Sequence, residues 1–88
     1  MNAQGIFDRF SVLAQRISTS IGETEELIEL QRGVIMYSKL VLSANTKGGI
    51  SLDFLPMLEE FIDIAQDYLN NNCHTTFLPG RPATTHCI

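Results

Sequence analysis

Apolar residues return every three or four positions along three separate stretches of this chain, and that spacing is the period of an α-helix. The first stretch is Phe7, Phe10, Ala14, Ile17 and Ile21, widened by Ala3, Ile6 and Leu13. Asp8, Arg9, Ser11, Gln15, Arg16 and Ser18 occupy the other side, so the pattern predicts an amphipathic helix over 3–21 with Val12 out of phase. The second stretch, Leu27, Leu30, Val34, Tyr37, Val41 and Ala44, predicts a helix over 23–44. The third runs Phe54, Leu58, Phe61, Ile62, Ala65, Tyr68 and Leu69, and the run Asn70-Asn71-Asn72 stops it.

Local chemistry marks the boundaries. Ser20 followed by Glu23 has the form of a capping box, and Glu23, Glu25 and Glu26 suit the positive end of a new helix dipole. A break near Gly22 is therefore expected, with a continuous helix as the alternative because the stripe stays in phase at Thr24 and Ile28. Asn45-Thr46-Lys47-Gly48-Gly49 reads as a turn. Pro56 is tolerable only in a first turn, which points to Asp53 as the cap of the third helix. Gly33 costs about 1 kcal/mol relative to Ala inside a helix, so it marks close packing or a kink. Val34 to Leu42 has a second reading as a buried strand, for which His74 to Leu78 is the candidate partner. From Cys73 on there is no helical period, and Pro79, Gly80 and Pro82 break any element. The expected fold is all-α: an N-terminal helix and an antiparallel helical hairpin forming a domain over 1–72, followed by an irregular Pro/Thr-rich tail over 73–88.

Charge narrows the partners. The net charge is −4, and no Lys or Arg lies between Lys47 and Arg81, while Asp53, Glu59, Glu60, Asp63 and Asp67 all do. Binding to a phosphate backbone needs clustered cations, so nucleic acid is not expected as a partner. The most apolar run, Val34 to Ala44, is interrupted by Lys39 and falls well short of the roughly 20 residues of a membrane-spanning helix. Asp8 and Arg9 stand where a signal peptide would place its apolar run. The composition suggests a cytoplasmic protein that does not enter a membrane.

Two constellations could carry chemistry. Cys73-His74 and His86-Cys87 bracket the tail, and all four are zinc-ligand types. Adjacent residues point apart, so zinc is not expected. A Cys73–Cys87 disulfide and two unpaired thiols remain open. A Cys–His catalytic pair would need a third group to orient the imidazole and a rigid setting, which a Pro-rich tail does not offer. No catalytic activity and no cofactor are therefore expected. On the third helix Glu59, Asp63 and Asp67 form an i, i+4, i+8 row with Glu60 beside it, either a solvated face or a docking surface for a basic partner.

These features predict a small acidic helical module that binds another protein as a regulator, inhibitor, chaperone or adaptor. The alternative is a metal- or redox-sensing domain built on Cys73, His74, His86 and Cys87. A chain of 88 residues buries only on the order of 60–65% of its unfolded surface. The second helix is nevertheless apolar nearly all round, with Ile28, Ile35, Met36, Leu40 and Leu42 outside its main stripe. Two other helices do not suffice to cover it. A homodimer is expected, with Val34, Tyr37, Val41 and Leu42 in or beside the interface and the tail residues Phe77 and Leu78 as the alternative cover.

Overall fold

The computed structural model describes residues 3–46 and 51–88 and contains three helices and a two-stranded hairpin. Helix α1 spans Ala3–Thr19, α2 spans Glu25–Thr46 and α3 spans Leu55–Asn72. Each turns its three–four stripe inward. Ile6, Phe7, Phe10, Leu13 and Ile17 of α1 meet Leu27, Leu30, Val34, Tyr37 and Val41 of α2, and Leu55, Leu58, Ile62, Ala65, Tyr68 and Leu69 of α3. Ile17, Leu27, Leu58 and Leu69 are fully buried. Val34 to Leu42 is helical, and the strand reading of that run falls away.

The break after α1 uses different chemistry from the expected capping box. The Ser20 hydroxyl donates back to the Arg16 carbonyl at 2.6 Å, closing the end of α1. Thr24 starts α2, its Oγ1 accepting the Leu27 N–H at 3.3 Å. That oxygen also lies 2.6 Å from the Tyr68 hydroxyl of α3, so one threonine caps a helix and ties it to another. Ile21 leaves the α1 stripe and is exposed. Further along, Asn45 and Thr46 extend α2, and the expected turn at Lys47-Gly48-Gly49 lies outside the described residues.

The start of α3 also differs from expectation. Phe54, not Asp53, occupies the cap position and provides no side-chain hydrogen bond. Its ring is instead buried, stacked 6.3 Å from Phe7, while Pro56 takes the first turn. Packing of an aromatic residue has displaced a polar cap. Gly33 marks close packing: a Cβ there would sit 2.5 Å from the edge of the Phe61 ring. Phe61 lies 5.1 Å from Tyr37 and 6.4 Å from Phe10, so this contact is where the rings of all three helices meet.

The C-terminal segment is not irregular. Strand β1 (Cys73–Thr76) pairs antiparallel with β2 (Thr84–Cys87), Cys73 opposite Cys87 and Thr76 opposite Thr84. The signal is period two rather than 3.6. Thr75, Thr85, Cys73 and Cys87 turn toward the helices, while His74 and Thr76 point out to solvent. Threonine is well suited to such a half-buried pleat. Pro79 and Gly80 break a helix, but at the two central positions of Leu78-Pro79-Gly80-Arg81 they build a turn. The Arg81 N–H donates to the Leu78 carbonyl, and Gly80 has φ +75°, the left-handed conformation that this turn requires of its third residue.

The hairpin is fastened to the helices along its length. Ile21 donates to the Thr85 carbonyl at 2.8 Å and accepts from the Cys87 N–H at 2.7 Å, so β2 is flanked by β1 and by the α1–α2 connection. The Ile88 N–H donates to the Asn72 carbonyl, and a disulfide joins Cys73 to Cys87. Cys87 belongs to the hydrophobic core.

Candidate interaction surfaces

Helix α2 carries two apolar arcs. The inner arc holds Val34, Tyr37 and Val41, each under a tenth exposed, so three of the four residues expected at an interface are packed inside their own chain. Leu42 faces out, 63% exposed. With it stand Ile28 at 41% and Ile35 at 59%. These three are seven residues apart, which is nearly two helical turns, so they form one line along the helix. Arg32 and Lys39, both exposed, lie between them, one turn beyond Ile28 and Ile35 respectively. Neither has an ion-pair partner among the described residues. Phe77 is 78% exposed and Leu78 53%, and the hairpin rests on α1 and α3, so the C-terminal segment does not cover this line.

Helix α3 has an outward line of the same construction. Met57 and Ile64, 56% and 55% exposed, are seven apart. Glu60 and Asp67, also seven apart, stand between and beyond them. The acidic row expected on this helix is thus split. Glu60 and Asp67 flank apolar side chains, Glu59 is half-buried, and Asp63 turns toward α1, where it meets Arg9 at 3.4 Å. That pair is exposed on both sides and contributes little to stability.

A groove of about 470 Å³ runs between α1 and the hairpin, bordered by Val12, Arg16, Phe77 and the Thr75–Thr85 pair. The two threonine hydroxyls are 3.0 Å apart and satisfy each other. Val12, the out-of-phase residue of α1, lines its mouth.

The four Cys and His side chains do not converge. The cysteines are bonded to each other on the inner side of the hairpin, and the imidazoles of His74 and His86 stack at 6.0 Å on the outer side. Among the described residues, no group of three or more His, Cys, Asp or Glu is placed to hold a metal ion. No described helix is long and apolar enough to cross a membrane.

Sequence spacing located the acidic row and the apolar excess on α2. It also set Ile28, Ile35 and Leu42 outside the main stripe of α2, but did not show that α1 and α3 would cover that stripe and leave the outer line free, because this depends on where those helices lie. The seven-residue repeat of Ile28, Ile35 and Leu42 is the signal that marks that line. No family model matches the chain, and neither the curated proteins nor the solved structures yield a match.

Proposed function

We propose that the protein is an interaction module without catalytic activity, acting as a regulator, inhibitor, chaperone or adaptor that docks helix faces onto another protein chain, and that it is a homodimer. The observation that carries this reading is the line of Ile28, Ile35 and Leu42 on α2, interleaved with two unpaired cations. Single exposed apolar residues are ordinary on protein surfaces, but an apolar row is a mark of interfaces. Burying a large aliphatic side chain is worth roughly 1.5–3 kcal/mol, so a partner that covers the row gains from each member. Cations at its rim add selectivity for an acidic counterpart.

The test uses the tagged protein and its Ile35→Glu variant as paired baits in extract of the source cell, with the captured chains identified. A chain recovered in near-equal amount by the wild type and lost with the variant supports the reading. Equal recovery by both, or none by either, overturns it. Because Ile35 is exposed within its own chain, the variant should keep the helical circular dichroism of the wild type, which separates lost binding from lost folding.

The disulfide favours a second reading, in which the Cys73–Cys87 bridge is a redox-responsive element. It also bears on location, since disulfides persist in oxidising compartments, and this pulls against the cytoplasmic setting suggested by composition. Melting temperatures in oxidising and reducing buffer, combined with binding assays in both, decide it. Binding that is switched by reduction supports a redox role, whereas unchanged binding leaves the bridge as a structural clasp.

A further inference from the structure

The outward lines of α2 and α3 match each other in spacing and are opposite in charge. Along α2 the order Arg32, Ile35, Lys39, Leu42 has steps of three, four and three residues. Read backwards along α3, Asp67, Ile64, Glu60, Met57 has the same three steps. Laid antiparallel, the two lines set Arg32 against Asp67, Ile35 against Ile64, Lys39 against Glu60 and Leu42 against Met57. Ile28 then falls opposite Asn71. All eight side chains of the match are exposed. None of its four charged residues has an ion-pair partner among the described residues. A parallel alignment keeps the steps but loses the match, because it sets Arg32 against Met57, Ile35 against Glu60, Lys39 against Ile64 and Leu42 against Asp67.

We propose that the partner covering these lines is a second copy of this chain, with α2 of one copy antiparallel on α3 of the other in the register Arg32–Asp67, Ile35–Ile64, Lys39–Glu60 and Leu42–Met57. This rests on the reading of the protein as an interaction module and names the partner of that surface. Within one chain the pairing is already prevented. Helix α2 meets α3 through Gly33 and Phe61, so the outward lines stay apart. A second copy offers both lines again, and reciprocal use of them gives a two-fold dimer, the commonest symmetry of soluble oligomers. The matched segment covers eleven residues, which span about 15 Å of helix. Its apolar steps are flanked by charges of opposite sign, the arrangement by which paired helices select partner and orientation.

Charge reversal tests the register. In R32E/K39E the line on α2 becomes acidic like that on α3. In E60K/D67K the line on α3 becomes basic like that on α2. Sedimentation from low to high micromolar concentration should show the wild type as a dimer and each variant alone weakened by about a hundredfold or more, since like charges would then face each other. The two variants mixed in equal amount have complementary lines and should form a heterodimer, with affinity restored to within about tenfold of the wild type. Circular dichroism of each variant alone confirms that it is folded. A wild type that stays monomeric at high micromolar concentration overturns the inference. So does a dimer indifferent to both reversals, or a mixture that stays monomeric. If the wild type is monomeric while Ile35-dependent capture of a different chain stands, this inference and the homodimer both fall, and the reading as an interaction module survives.

Discussion

Replacing Gly22 with Ala should destabilise the protein through the join between helices and hairpin. A Cβ built at position 22 lies 2.6 Å from the Cys87 carbonyl oxygen and 2.9 Å from Leu27 Cδ2. Neither neighbour yields easily. The oxygen belongs to backbone beside a disulfide, and Leu27 is fully buried. Non-bonded carbon–oxygen contacts normally start near 3.3 Å, so β2 and the connection must separate by about 0.7 Å. The hydrogen bonds between Ile21 and β2, at 2.8 and 2.7 Å, would stretch toward the limit of useful geometry. Overpacking of this kind costs about 1–3 kcal/mol, and each weakened hydrogen bond adds up to about 1 kcal/mol. Against this, Ala restricts the unfolded chain and returns about 0.4–1 kcal/mol. At their central values these terms leave a loss of about 2 kcal/mol, which lowers the melting temperature of a domain this size by about 8–16 °C. Thermal melting followed by circular dichroism measures the loss, and hydrogen exchange at the Ile21 and Cys87 amides should accelerate before exchange in the helices does. A variant that melts within about 2 °C of the wild type, with those amides still protected, would refute the close approach as the reason for glycine here.

Three further outcomes follow from the same structure. The Cys73→Ser/Cys87→Ser double variant should lose about 3 kcal/mol, the effect of opening a covalent loop of sequence separation 14, and thermal melts should show it falling by about 12–24 °C. Leu58→Ala, at a fully buried position where the helices meet, should cost about 2–5 kcal/mol in urea denaturation, whereas Leu42→Ala on the outer line should stay within about 0.5 kcal/mol in the monomer. Thr24→Val keeps the shape but removes the cap on Leu27 and the nearer partner of the Tyr68 hydroxyl, leaving it the Ile88 carbonyl at 3.4 Å, so a loss of about 1–2 kcal/mol is expected in the same assay.

The three helices were legible because each carries one continuous apolar stripe, and a stripe at helical spacing can be buried only by a helix. Helix ends were less legible. Ser20 and Asp53 have good capping chemistry, yet Ser20 was drawn back onto α1 and Asp53 was displaced when Phe54 packed on Phe7. At Asp53 a tertiary contact outweighed a local preference of about 1 kcal/mol, and at Ser20 one local hydrogen bond, back to Arg16, replaced another. The hairpin was not legible in the helical period, because strands repeat every two residues and Pro79-Gly80, which break a helix, also build a tight turn. Thr75, Thr85 and the mirrored Cys–His pairs have the two-residue alternation of a strand, around a central Pro79-Gly80 turn.

By itself, then, the amino-acid order determined how many helices there are, roughly where they run and which residues of each can share a face, since all of these follow from backbone period and side-chain polarity. Only the tertiary structure decided which of the two apolar arcs of α2 is spent on the core. Val34, Tyr37 and Val41 turn inward, and Ile28, Ile35 and Leu42 are left outside. The physical reason is that a helix nearly apolar all round offers two faces for burial, and its stripe alone does not say whether its own chain or a partner covers each. The choice is made by the neighbours, through the approach of Phe61 over Gly33 on one side and of α1 on the other. The surface that remains for a partner is what those two contacts leave over.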